Sequence, residues 1–507
     1  MVITYKNPAW LLLPENIRSH PNFRQLVKAM EYEDQKVVFQ IKRLEDQLGG
    51  GWYVAKFGLQ SLQAEIQKLK KEKTKSCLFF VDGRYQVPTG LSKIVSEILD
   101  MPIEPTKFIS PDDWKCLPYN KMPHKPRWYQ TEALEKLCPE DGSNTHGAVS
   151  IGTGLGKSLI ITMLIKRMGL KSLVVAPTKS IARQMMKDLT NAFGSGKVGQ
   201  FFDSKKKSEK QIIVAVGASL ARVTLIDEHY ENLRNVKVIL VDESHTTPPQ
   251  SLSTVVLGLL ALAPYRYFFS GTQFRGDGLG LLLQGIVGDV VFDMPVRQGV
   301  AEGYLAPLRF VQYRIPVESS RYIDDPLKAN VVHLRQNMNG YRHAARIINH
   351  AVTQRNKRVL VQVDTVDQYA YLLQGGLKVK SFFAHGGVTK ENRDTVPQEH
   401  WKCDPQKLVE QFDNGEFPVL VGTSCIGTGT DIKSVDMIVN IVGLTSPIEI
   451  SQNAGRGTRK FEGKEECVYV DYCVTGCDVT ERHAAKRRDV FDSIYGKCKI
   501  IDAQGYK

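Results

Sequence analysis

Between residues 148 and 270, short apolar runs alternate with stretches of helical periodicity. Ala148-Val149-Ser150-Ile151 leads into a Gly-rich turn, and a second apolar run follows from Leu159 to Ile165. Leu173–Ala176, Ile212–Val216, Val238–Val241 and Tyr267–Phe269 are continuous apolar runs too short for helices. Such runs between helical patterns predict buried strands of a parallel sheet with helices on both faces, an α/β fold. Each ends in a small polar cluster: Pro177-Thr178-Lys179, Gly217-Ala218-Ser219, Asp242-Glu243-Ser244-His245 and Ser270-Gly271-Thr272. In open α/β sheets that edge binds ligands. A second alternating segment begins near residue 300, with strands at Arg358–Val363, Phe382–Ala384, Val419–Thr423 and Ile438–Ile441.

The first 115 residues follow another pattern. Leu59, Leu62, Ile66 and Leu69 fall at helical spacing, and Lys68, Lys70, Lys71, Lys73 and Lys75 crowd the far end. Cys77–Val81, the pair Asp82-Gly83 and Arg84–Val87 predict a hairpin. This is a small α+β domain whose lysines suit either a phosphate backbone or a solvated helix end. Prolines 102, 105, 111, 118, 123 and 126 mark the boundary. The expected domains are 1–115, 116–298 and 299–507.

A net charge of +13 over 507 residues points to a polyanionic partner, nucleic acid first. The nine cysteines are scattered, and Cys467, Cys473 and Cys477 lack a second pair at zinc spacing, so they read as structural thiols in a reducing compartment. Neither a signal layout nor an apolar stretch of membrane-spanning length is present, which predicts a soluble, cytoplasmic protein without a membrane partner.

The candidate chemistry lies at the strand ends. In Gly152-Thr153-Gly154-Leu155-Gly156-Lys157-Ser158 the glycines let backbone N–H groups turn toward a phosphate, and the following helix adds its dipole. Lys157 suits the β- and γ-phosphates of ATP, and the Ser158 hydroxyl suits Mg²⁺. The full phosphate-loop pattern asks for glycine where Ile151 stands. Asp242 can complete the Mg²⁺ shell while Glu243 activates water, the two carboxylate tasks of phosphoanhydride hydrolysis. His245 would link that pair to Ser270 and Thr272. Gln130, with Arg127 just before an amphipathic helix, offers a donor and an acceptor to adenine. The second segment has no phosphate loop. It carries Gln452-Asn453-Ala454-Gly455-Arg456-Gly457-Thr458-Arg459, whose arginines share a face if helical and suit a γ-phosphate. The reading is two similar lobes with ATP between them.

These residues, in this order, resemble the motifs of the superfamily 2 helicases and translocases from about residue 127 to 480. Arg127–Gln130 resembles the adenine-binding motif, and Gly152–Ser158 resembles motif I, which in that family often lacks the leading glycine. Pro177–Lys179, Gly217–Ser219, Asp242–His245, Ser270–Thr272, Thr423–Asp431 and Gln452–Arg459 resemble motifs Ia, Ib, II, III, V and VI. The resemblance implies two tandem RecA-like lobes, ATP and Mg²⁺ as cofactors, and catalytic roles for Lys157, Asp242, Glu243, Arg456 and Arg459. It implies nucleic-acid contacts from Pro177, Thr178, Lys179, Gly217, Arg275 and Thr423, and coupling through His245, Ser270, Thr272 and Gln452. Thr272-Gln273-Phe274-Arg275-Gly276-Asp277-Gly278 is similar to the T-P-x-R-x-D-G run of XPB-like and UvsW-like DNA helicases, with Gln273 replacing the proline. That implies a motor on branched DNA, alongside recombination or replication proteins. An RNA helicase and the motor subunit of a nuclease complex are the alternatives.

Overall fold

A computed structural model describes residues 2–48, 59–105, 108, 111–121, 124–244, 246, 249–271, 280–318, 323, 325–388, 396–423, 426, 432–443 and 446–504. The chain forms two compact units, Met1–Ser150 with Lys157–Asp293, and Ile151–Gly156 with Met294–Lys507.

The first unit opens with a small sheet of β1 (Thr4–Asn7), β2 (Trp10–Leu12), β5 (Phe79–Val81) and β6 (Arg84–Pro88), in the order β1-β2-β6-β5. The Asp82-Gly83 turn closes the β5–β6 hairpin, with both residues at positive φ. That conformation suits the short polar and glycine residues found there. Beside the sheet, β3 (Glu31–Glu33) pairs with β4 (Thr74–Ser76), joined through helices Gln35–Leu48 and Leu59–Glu72.

The larger sheet of this unit contains β7 (His146–Ile151), β8 (Ser172–Ala176), β9 (Val198–Phe202), β10 (Lys205–Lys206), β11 (Ile212–Val216), β12 (Val238–Val241), β13 (Tyr265–Ser270) and β14 (Val290–Met294). Their order is β10-β9-β11-β8-β12-β13-β7-β14. From β9 to β7 every pairing is parallel. β8, β11 and β12 are buried along their whole length, as continuous apolar strands between helices must be.

The N-terminal sheet shares one apolar core with the large sheet, running from Ile3, Leu11 and Val87 to Val255, Leu283 and Ile286. The Trp10 indole donates to Leu257 O at 2.8 Å, and the buried Arg266 guanidinium donates to Pro8 O. Gly90 is required at this contact: a Cβ there would lie 2.3 Å from Gln284 O. The Pro-rich stretch also lies against this unit. Trp114 packs on Tyr265, and the Lys115, Leu117 and Asn120 N–H groups donate to Met168 O, Lys166 O and Ala192 O.

The second unit holds a seven-stranded sheet of β15 (Leu308–Pro316), β16 (Val359–Gln362), β17 (Ser381–Ala384), β18 (Val419–Gly422), β19 (Met437–Asn440), β20 (Cys467–Thr475) and β21 (Lys499–Asp502). Its order is β17-β18-β16-β19-β20-β15-β21, and all pairings are parallel. The fold is thus α/β, two tandem RecA-like lobes with a small α+β N-terminal domain. No helix among the described residues is long and apolar enough to cross a membrane.

Candidate nucleotide-binding site

Because β7, β8, β11, β12 and β13 run parallel, their carboxyl ends share one edge of the sheet. Pro177 and Thr178 follow β8, Gly217 opens the short helix after β11, Asp242 and Glu243 follow β12, and Ser270 ends β13. β7 feeds the Gly-rich loop into helix Lys157–Met168. Gly154 and Gly156 hold φ of +86° and +79°, open to glycine and strained for other residues.

Lys157 begins that helix, and its Nζ lies 2.8 Å from Glu243 Oε1, with side-chain exposures of 9% and 14%. At that burial the pair is shielded from salt and solvent. Glu243 adopts φ +46°, a left-handed conformation costly for a glutamate and concentrated at functional sites. The bend is held from several sides. The Glu243 N–H donates to Asp242 Oδ1 at 2.9 Å, the Asp242 N–H to Val175 O at 2.9 Å, and the Ser244 N–H to Phe269 O at 3.0 Å. The Thr246 N–H and hydroxyl both donate to Glu243 O at 2.8 Å. Burial, then the Glu243 charge, hold the Asp242 carboxyl well above the usual carboxylate range, and Lys157 opposes them.

Arg127 caps helix Trp128–Leu137, so the residues expected ahead of that helix form its first turn. The Arg127 N–H donates to Gln130 Oε1 at 2.9 Å, and its guanidinium to Tyr129 Oη at 2.9 Å. Gln130 is buried and fixed in rotamer. Thr178 caps the helix Lys179–Phe193, accepting from the Ile181 N–H at 3.3 Å. Lys179 lies 2.6 Å from Asp203, which also binds Arg183 at 3.0 Å. Those two cations hold the Asp203 carboxyl below the usual range. Asp203, in the turn after β9, carries no sequence signal for this role.

Within the second unit, helix Pro447–Gly455 carries Gln452 and ends at Gly455, so Arg456 caps it and Arg459 lies beyond a turn. The condition for Arg456 and Arg459 to share a face, a helical segment through both, is therefore not met. The turn is tied instead by Thr458 Oγ1 donating to Gly455 O at 2.8 Å, Lys464 Nζ to Gly457 O at 2.6 Å, and the Ala306 N–H to Thr458 O at 2.7 Å. Burial lowers both arginines to about 10, which leaves them charged at neutral pH. The same unit includes the loop Ile151–Gly156. A Cβ on Gly154 would meet Arg459 Cγ at 3.6 Å, and one on Gly455 would lie 2.7 Å from Thr153 Cβ. Thr423 follows β18, and its N–H donates to Ala384 O at 3.1 Å. His245, Thr272 and Arg275 lie outside the described residues, as does most of Thr423–Asp431.

Two family models match the chain: "Type III restriction enzyme, res subunit" over residues 123–272 and "Helicase conserved C-terminal domain" over residues 342–460. The chain is 25% identical over 329 residues to "Probable helicase D10" of Escherichia phage T5, covering 64% of this chain and 66% of that protein. It is 22% identical over 382 residues to "DNA 3'-5' translocase XPB2" of Sulfurisphaera tokodaii, covering 69% and 82%. The match spans 51% of a helicase-named relative from Saccharomyces cerevisiae. Among solved structures, "ATP-dependent Type ISP restriction-modification enzyme LlaBIII bound to DNA" aligns with a TM-score of 0.55 at 14% identity, over 76% of this chain and 32% of that one. "S. cerevisiae Dbp5 bound to RNA and ADP BeF3" aligns at 0.51 and 15%, over 75% and 90%. Both structural likenesses speak to the fold alone.

Proposed function

We propose an ATP-driven DNA motor that remodels forked or branched DNA: the chain belongs to superfamily 2 of the helicases and translocases, the nucleic-acid-dependent ATPases. The observation that carries the catalytic reading is the buried Lys157–Glu243 pair, with Glu243 bent into a left-handed conformation beside Asp242. The residues fit a nucleoside triphosphate with a divalent cation. The loop glycines leave room for phosphate oxygens, Lys157 supplies a compact positive charge, and two carboxylates stand at a strand end.

Bound ATP and its Mg²⁺ supply the scissile phosphate and the cation that offsets its charge. With ATP bound, Lys157 Nζ would turn from Glu243 to the phosphate oxygens, and the Ser158 hydroxyl and the Asp242 carboxylate would hold the cation. Freed from Lys157, the Glu243 carboxylate orients the attacking water and takes its proton. Arg456 and Arg459 carry charge to the γ-phosphate, and Gln130 with Arg127 reads the adenine. Pro177, Thr178, Lys179, Gly217, Arg275 and Thr423 hold the backbone of one strand, and His245, Ser270, Thr272 and Gln452 link the two sites. DNA is favoured over RNA by the translocase named above, matched over 82% of its length. Likeness to the yeast "ATP-dependent RNA helicase DBP5", at 21% identity, keeps RNA as the second reading.

The test is ATPase rate with no nucleic acid, single-stranded DNA, duplex DNA, a four-way junction and RNA, all at one salt concentration. Strongest stimulation by the junction supports the proposal. Stimulation by RNA alone transfers the motor to RNA, and no stimulation removes the motor reading.

A further inference from the structure

Alternation in β5 sends neighbouring aromatics to opposite sides of the N-terminal sheet. Phe79 packs edge-on against Trp10 at 5.3 Å, and Trp10 bonds to Leu257 of the large-sheet region. Phe80 points the other way. It stands opposite Tyr85 of β6, with ring centroids 4.8 Å apart, and Phe23 backs Tyr85 at 5.2 Å. The Arg18 guanidinium lies 5.1 Å from the Phe80 ring and 5.2 Å from the Tyr85 ring, and its Nε donates to Tyr85 Oη at 3.1 Å. Phe80 is nonetheless 55% exposed, with Arg18 over its ring and Tyr85 tilted beside it.

This arrangement differs from an ordinary surface phenylalanine. The tilted ring contact with Tyr85 and the cation–π contact with Arg18 restrict the orientation of Phe80 before any ligand arrives, which lowers the entropy lost on binding. Arg18 is exposed, and its Nη groups have no hydrogen-bond partner among the described residues, so they are placed to meet a phosphate beside the ring. An exposed aromatic ring next to an exposed guanidinium matches one nucleotide of a single strand, base on ring and phosphate on cation. Paired bases in a duplex keep their faces stacked inside and are poor partners for it.

We propose that Arg18, Phe80 and Tyr85 form a stacking platform for an unpaired base, through which the N-terminal domain holds single-stranded nucleic acid. The inference rests on the nucleic-acid motor proposed above and names a contact outside its lobes. The platform takes any base, because every base offers a π-face.

The experiment measures binding of the full chain to a fluorescein-labelled dT20 strand and to an abasic strand of equal length, by anisotropy over a salt series. Phe80→Ala is expected to weaken dT20 binding about 5- to 20-fold and leave the abasic strand unchanged, with Phe80→Trp restoring dT20. Arg18→Gln is expected to weaken both strands and flatten the salt slope by about 0.7. All three variants keep wild-type ATPase in the absence of nucleic acid. If the wild-type chain binds dT20 and Phe80→Ala binds it equally well, or loses the abasic strand to the same degree, the platform is refuted alone. If wild type binds neither strand and no nucleic acid raises its ATPase, the motor reading falls with it.

Discussion

Helix Asp478–Ile494 carries Arg482, Lys486, Arg487 and Arg488, a run that by sequence suits either DNA or solvent. The fold removes Arg487 from both. It is 1% exposed, and its Nε lies 2.9 and 3.0 Å from the two oxygens of the equally buried Asp471. Its Nη2 donates to Tyr472 O at 2.7 Å. Asp471 also accepts from Gln312 Nε2 at 2.9 Å and Asn440 Nδ2 at 3.3 Å, joining three strands of the second sheet. Arg487→Ala would leave that carboxylate in the core with two neutral donors, at a cost of about 3–5 kcal/mol. For a unit of this size each kcal/mol shifts Tm by about 2–4 °C, so the transition of this unit should fall by roughly 6–20 °C. Arg482→Ala on the exposed side should move it by less than about 2 °C. Thermal scans by circular dichroism compare the two, and Arg487→Met with Asp471→Asn should recover part of the loss, since it removes both charges together. The reasoning is refuted if Arg487→Ala melts within about 2 °C of Arg482→Ala.

Glu243→Gln should keep nucleotide affinity while lowering turnover by about 10²-fold or more, as loss of a positioned base does; unchanged turnover would assign the water to another residue. Gly90→Ala should force the Gln284 and Gly285 carbonyls away from the N-terminal sheet, costing about 1–3 kcal/mol and exposing the first 100 residues to limited proteolysis, the readout that decides it. Burial, then the Arg266 charge, push the His146 imidazole down to about 3, so the folded state binds fewer protons than the unfolded one below the ordinary value of 6.5. The first unit should therefore lose stability as pH falls from 6.5 toward 3, by up to about 1.4 kcal/mol per pH unit from this group. Urea titrations at pH 7 and pH 5 on wild type and His146→Gln check this, and an equal loss in both would rule the histidine out.

Local sequence determined much of this protein. Val238–Val241 and Ile212–Val216 have too few residues for helices and are buried along their whole length, so their apolar runs alone specify strands. Asp82-Gly83 specifies its turn because few residues accept positive φ. The phosphate loop and the acidic pair were legible because their chemistry needs contiguous residues. Tertiary structure decided what depends on distant partners. Nothing near Lys157 in the chain announces Glu243, 86 residues away, as its partner at 2.8 Å. Arg456 and Arg459 would share a face only on a helix, and the helix ends at Gly455, with bonds from Lys464 and Ala306 setting the turn between them. Lys179 meets Asp203 because β8 and β9 run in the same direction and end on one edge of the sheet, and Arg487 meets Asp471 because the helix Asp478–Ile494 packs back on β20, the strand before it. Periodicity reports which side of an element is apolar, whereas the partner of a charge is fixed by strand order, which no local pattern encodes.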